Sequence, residues 1–213
     1  REVFTRMSLE SALRAGLEAL DIPRDETRQK QLLDYLGLIE RWNRTYNLTA
    51  VREPAEMLSK HLLDSLSVLP WVAPGRLLDA GTGAGLPGIP LAILFPEVRF
   101  ALVDSVGKKI RACQAMADAL GLDNVHPRQV RVETMTDRFD YVLGRAVTAL
   151  PRFFEWTRNR VRPGQSGSVD NGWLYFKGTA YREELDRIGL EPTHVWQGDD
   201  LLFLQWRRST RPL

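Results

Sequence analysis

The residues with the most evident chemistry lie between Arg76 and Asp104. An apolar run ends in Asp79-Ala80, the glycines Gly81, Gly83, Gly85 and Gly88 follow, and a second apolar run ends in Asp104. Such glycines let the backbone take positive φ and let a ligand approach where a Cβ would block it. A helix opening behind them would aim free N–H groups at that ligand. A carboxylate closing the next strand stands where ribose hydroxyls are commonly gripped. The spacing predicts a nucleotide-type site.

Two ligand classes compete for it. Gly83-Ala84-Gly85-Leu86-Pro87-Gly88 satisfies G-x-G-x-x-G, so a dinucleotide-dependent oxidoreductase is one reading. Asp79, two residues ahead of Gly81, favours another. A carboxylate at the mouth of the loop repels a pyrophosphate but attracts the sulfonium and ammonium of S-adenosyl-L-methionine. A methyl donor is therefore the preferred ligand. A non-catalytic RNA-binding or ribosome-assembly module is a third class, and the intact Asp-x-Gly-x-Gly-x-Gly loop argues against it.

The elements that must position these residues follow from periodicity. Apolar spacing predicts helices over 9–20, with Ser8 as cap, over 25–46, and from Pro54 through Leu69, so that residues 1–74 form a helical cap. From Arg76 strands and helices alternate, the signature of a parallel sheet covered on both faces. Strands are expected at 76–80, 99–104, 125–131, 140–145, 173–177, 193–197 and 201–207, and helices at 88–95, 107–120, 148–160 and 180–188. The last two strands, joined at Gly198-Asp199-Asp200, read as an antiparallel edge hairpin. Gly164–Gly172 reads as a flexible loop. The expected fold class is thus α/β and Rossmann-like, a seven-stranded, mostly parallel sheet over residues 75–213 with the helical cap packed on it.

Ligands of such sheets sit beyond the carboxyl ends of the strands. Val132 and Glu133 follow the third strand, where a backbone N–H and a side chain could meet an adenine edge; a solvated helix-start acid is the alternative for Glu133. Arg145 closes an apolar strand, an awkward place for an unpaired charge, and could pair with Asp79 or hold a donor carboxylate or an RNA phosphate. Lys177 has the same position on its own strand. Amine methylation commonly uses an Asp/Asn-Pro-Pro-aromatic strand end, but that slot reads Leu143-Gly144-Arg145-Ala146. Carbon-5 methylation of a pyrimidine needs a nucleophilic cysteine, and the single Cys113 sits among apolar helix residues as core. A purine ring nitrogen, already nucleophilic, would need only positioning.

Other residues are ambiguous from sequence. His61 on the third helix fits packing or capping as well as chemistry, and His126 and His194 show no metal-ligand spacing. Trp42 and Tyr46 with Arg41, Arg44 and Arg52 fit helix packing as well as RNA stacking. The basic residues are mostly Arg, which tilts the surface toward phosphate. One cysteine rules out an internal disulfide and a cysteine-based zinc site, giving the expectation of a reducing, cytoplasmic setting without a bound metal. No apolar run approaches the ~20 residues of a membrane span.

Several blocks together resemble a known family. They are Trp42-Asn43 with Tyr46-Asn47-Leu48-Thr49-Ala50-Val51-Arg52, then His61-Leu62-Leu63-Asp64-Ser65, then Asp79 through Pro90, then Leu102-Val103-Asp104-Ser105, then Arg131-Val132-Glu133. The likeness is to the bacterial 16S ribosomal RNA guanine-N7 methyltransferases, once called glucose-inhibited division protein B. It implies methylation of N7 of one guanine, position 527 of 16S rRNA, from S-adenosyl-L-methionine by a monomer acting on the 30S subunit or a precursor. Another S-adenosylmethionine-dependent RNA methyltransferase is the alternative. By matching motifs, Gly81, Leu86, Val132, Glu133 and Arg145 are implied cofactor contacts and Asp104 the ribose ligand. His61, Asn47 and Lys177 are implied to face the RNA or the reacting guanine. The chain departs from the family in having Gly144 where Ser is usual, and in its short Pro- and Arg-rich tail before Leu213.

Overall fold

The structure, a computed structural model, describes residues 2–167, 169–177, 181–188, 192, 194–197 and 202–207. Helix α1 (Glu2–Ala19) opens upstream of Ser8, which is therefore an interior helix residue and not the expected cap. Its Leu13 and Leu17, one turn apart, are buried. Helix α2 (Glu26–Tyr46) starts where the Asp25 carboxylate accepts the Arg28 N–H at 3.0 Å, a cap that typically contributes ~1 kcal/mol. It ends at Asn47 in the left-handed conformation, φ 48°.

The expected single helix from Pro54 is broken. It runs as α3 (Pro54–Met57), a π-helical segment (Leu58–Leu63) and α4 (Asp64–Leu66). The cause is non-local: the guanidinium of Arg145, far along the chain, donates to the carbonyls of Lys60 and His61, and the Ser65 hydroxyl also donates to the His61 carbonyl. Outside donors drawing on these carbonyls widen the turn.

Strand β1 (Arg76–Ala80), α5 (Gly88–Leu94), β2 (Arg99–Asp104), α6 (Gly107–Leu120), β3 (Val125–Gln129), β4 (Tyr141–Arg145) and α7 (Leu150–Thr157) then alternate as expected. The 164–172 stretch is not an open loop, because β5 (Gln165–Ser166) pairs antiparallel with β6 (Val169–Asp170). Strand β7 (Gly172–Lys177), helix α8 (Tyr181–Ile188), β8 (His194–Gln197) and β9 (Leu202–Arg207) complete the order.

The sheet order is β3-β2-β1-β4-β7-β9-β8. The five strands from β3 to β7 are parallel, and β9 runs antiparallel to both β7 and β8. The Gly198-Asp199-Asp200 turn lies outside the described residues. Strand order reverses between β1, whose neighbours are β2 and β4, so a crevice opens above the end of β1. One sheet face, with Leu77, Phe100, Leu102 and Leu143, shares a continuous apolar core with Leu13, Leu32, Tyr35 and Ile39 of the N-terminal helices. The other face, with Leu78, Val103, Val142 and Trp173, packs on α7 and α8 through Phe153 and Leu185.

Candidate active site

Above β1 the chain turns through Gly81, Gly83 and Gly85, at φ 75°, 58° and 90°. The N–H groups of Gly81 and Thr82 donate to the Val103 carbonyl at 2.8 and 2.9 Å, locking the turn to the end of β2. Asp104 fastens the other side, its two oxygens accepting from Gly83 N at 3.2 Å and Val106 N at 2.9 Å, with Lys109 Nζ 3.6 Å away. From the cap, the buried Tyr35 hydroxyl donates to the Ala84 carbonyl at 2.9 Å. Nothing in the sequence signalled this tie, since a tyrosine on a core-facing stripe reads as packing alone. Cys113 is buried, and its thiol lies 3.5 Å from the Gly83 carbonyl, consistent with a core role.

Asp79 is fully buried on β1. Its Oδ2 accepts from the Thr82 hydroxyl at 2.7 Å and from Gly88 N, at the start of α5, at 2.9 Å. Gly88 is required here because a Cβ would stand 2.7 Å from that oxygen. Its Oδ1 has no partner among the described residues. Burial lifts the carboxyl to about 6, only partly offset by the Thr82 and Gly88 hydrogen bonds. An unpaired buried carboxylate oxygen is costly, and a cationic ligand group would relieve it.

Of the roles open to Arg145, pairing with Asp79 does not form. Arg145 turns toward the cap, with Ser65 Oγ at 3.2 Å, Asp64 Oδ2 at 3.9 Å, His61 Nδ1 at 3.5 Å and the Phe176 ring centroid at 6.0 Å. A guanidinium only donates, so His61 Nδ1 accepts and Nε2 carries the ring proton. Nε2 then donates to Thr49 Oγ1 at 2.7 Å, and burial together with Arg145 pushes the imidazole pKa down, keeping it neutral. Thr49 is placed in turn by Asn43, buried on α2, whose Oδ1 accepts Thr49 N at 2.9 Å. Three segments far apart in sequence thus meet in one hydrogen-bonded cluster at the end of β4. Sequence reasoning assigned nothing to Asn43 or Thr49 individually; their only signal was the family-like block around them.

Asn47 is exposed and caps α2, its Oδ1 accepting from Arg52 at 3.0 Å. Trp42 and Tyr46 stack on each other at 5.4 Å and pack against the core, so the packing alternative describes them. Lys177 closes β7, but its side chain lies outside the described residues, as does Gly178. His126 is exposed on β3.

A cleft of ≈ 300 Å³ opens beside the turn, lined by Gly81, Asp104, Val132 and Glu133 with Lys109 and Val147 among others. That volume is at the low end of small-ligand sites. Glu133 is exposed there and lies 3.8 Å from Arg131. Asp79, Gly83, Gly85 and Leu86 build the turn behind the cleft, with Leu86 buried in the core, and Arg145 is on the cap side. A larger apolar cavity of ≈ 530 Å³ between the α1–α2 turn and Leu94-Phe95 is remote from all these groups.

The parallel sheet reversing at β1, with a glycine turn there and a carboxylate ending β2, has the fold of the class I S-adenosylmethionine-dependent methyltransferases. A SAM-dependent methyltransferase from Aquifex aeolicus shares the fold, with a TM-score of 0.56 over 75% of this chain and 95% of that one at 16% identity. Residues 28–193 match the family described as rRNA small subunit methyltransferase G (GidB), and the chain belongs to that family. Similar proteins of that name occur in Ectopseudomonas mendocina, 47% identical over 84% of this chain and 85% of the relative, and in Alteromonas mediterranea, 39% identical over 92% and 90%.

Proposed function

We propose that this protein transfers the methyl group of S-adenosyl-L-methionine to N7 of guanine 527 in 16S rRNA. The observation that carries the reading is the convergence of Thr49 and His61, from two separate family-like blocks, with Arg145 at the end of β4. The donor supplies a methyl carbon on a sulfonium. Gly81 and the turn form its floor, where a Cβ would meet Val147 Cγ1 at 2.7 Å, and the ionised Asp79 carboxylate behind the turn would attract its cationic groups. Asp104 would accept from the ribose hydroxyls, and Val132 and Glu133 would meet the adenine.

Guanine N7 has a lone pair and no proton, so no general base is needed; alignment and exclusion of water do the work. The neutral His61 fits that requirement, as it holds Thr49 and Arg145 in place without abstracting a proton. Arg145, Asn47 and Lys177 would hold the RNA. Residues 1–74 then act as a substrate-side cap on the 75–213 core. The working form would be a metal-free cytoplasmic monomer acting on the 30S particle or a precursor. Among the described residues no helix is long and apolar enough to cross a membrane.

Calorimetric titration tests the ligand class: S-adenosylhomocysteine should bind and a nicotinamide dinucleotide should not, the reverse overturning the reading. The same experiment carries a pH prediction. Without ligand, Asp79 holds its proton up to about 6, so its stabilising contribution is present below its ordinary carboxylate range and is lost as pH rises through 6. A cationic donor binds the ionised form. Affinity for S-adenosyl-L-methionine should therefore rise from pH 5 to 7 with release of a proton, and Asp79→Asn should flatten that dependence.

A further inference from the structure

A groove of ≈ 250 Å³ lies on the α7-side face of the sheet, lined by Arg76, Arg99, Ala101, His126, Arg128 and Phe139. It is formed by Arg76 at the start of β1, Arg99 and Ala101 in the first half of β2, His126 and Arg128 of β3, and Phe139 ahead of β4. Arg99 and Asp104 stand at opposite ends of β2, roughly 17 Å apart at 3.3–3.4 Å per residue, while Arg128 at the groove's near edge pairs with Val103 of the donor cleft.

The charges here are unfavourable for the fold alone. Arg76 and Arg99 are direct register partners on adjacent parallel strands, and like charges placed opposite each other destabilise a sheet. One carboxylate, Asp137, serves two of the three arginines, with Arg128 Nη1 at 2.9 Å and Arg76 Nη2 at 3.6 Å. Among the described residues Arg99 has no acidic partner and is exposed, as is His126 beside it. Arg76 is further fixed over the Phe139 ring at 5.2 Å, which orients its guanidinium without neutralising it. The result is a preorganised, net-positive fork of donors with one guanidinium left unpaired. An anion bridging the arginines would remove the repulsion, and phosphate suits a guanidinium fork bidentately.

We infer that this groove is a second docking site for the substrate, binding the phosphodiester backbone of the rRNA at a distance from the reacting guanine. The inference rests on the rRNA methyltransferase reading above. Docked there, the backbone supplies affinity and orientation but takes no part in methyl transfer.

The test uses the full-length protein and unmethylated 30S particles, with KM and kcat measured at several salt concentrations. Arg99→Gln changes an exposed side chain and leaves the Asp137 pairs intact, so its fold should be unaffected; Arg99→Gln/Arg128→Gln removes two cations. For the double variant KM should rise about tenfold at moderate salt, with kcat and S-adenosylhomocysteine affinity as in the parent. The slope of log KM against log salt should become shallower by about 1.4–1.8, the loss of two phosphate contacts. Arg99→Lys should retain most of the affinity. An unchanged KM overturns the inference, and so does a raised KM with an unchanged salt slope, which would mark a ribosomal-protein contact. Filter binding to 16S rRNA reads the same slope without turnover. A parent that binds but does not methylate would refute the proposed activity, and the groove would then be judged on the binding slope alone.

Discussion

Replacing Asp104 with Ala should weaken S-adenosylhomocysteine binding by about 100-fold or more. Two ribose hydroxyls donating to a carboxylate are charge-assisted bonds, each contributing about 1.5–3 kcal/mol, and 1.4 kcal/mol is a factor of ten. The same carboxylate accepts from Gly83 N and Val106 N, so the turn itself should loosen, lowering unfolding free energy by about 1–2 kcal/mol. Asp104→Asn separates the two effects. It keeps one side-chain oxygen for one of the two backbone N–H groups but turns an NH2 toward the other, so it should recover only part of the stability, and lacking the second acceptor and the charge it should still bind at least tenfold more weakly. Calorimetry for affinity and thermal unfolding for stability read the two independently. Equal affinity in both variants and the parent would remove Asp104 from the donor site.

Arg145→Ala should act on a different step. The side chain is 14% exposed, supplies donors to the Lys60 and His61 carbonyls and to Ser65, and lies 3.9 Å from the Asp64 carboxylate. Removing it leaves those acceptors and a carboxylate without their cation, a loss on the order of 2–4 kcal/mol in stability and in the alignment of the cap. Methyl transfer to 30S particles should fall by two orders of magnitude or more, while S-adenosylhomocysteine affinity changes less than tenfold. Arg145→Lys keeps the charge but loses the fork, and should be intermediate. A loss of donor affinity as large as the loss of transfer would place Arg145 in the donor cleft after all.

These two residues also mark what the sequence could and could not reveal. The unit from β1 through the glycine turn and α5 to Asp104 was legible because its determinants are local: a period-two apolar strand, glycines at positive φ, a helix start and a strand-ending acid. Asp79 stands out in the sequence as a charge at the loop, but its bonds to Thr82 and Gly88 depend on the three-dimensional turn. Arg145 stands out in the sequence as anomalous, but its partners on the cap do not. The sequence places Asp79 and Arg145 on neighbouring strands, whereas the guanidinium is captured by helix carbonyls more than eighty residues upstream. The π-helical segment was invisible for the same reason, since nothing between Pro54 and Leu66 breaks a helical pattern except a contact from β4. Ser8 failed as a cap because an α-helix continues wherever upstream residues permit it, and no breaker precedes it.

The most direct test of the central claim is to map 7-methylguanine in 16S rRNA by borohydride–aniline cleavage. Unmethylated 30S particles would be incubated with this protein and S-adenosyl-L-methionine. A single new cleavage at guanine 527, absent when the donor is omitted, is the predicted result. No cleavage there, or methyl incorporation at another base or atom, would contradict it.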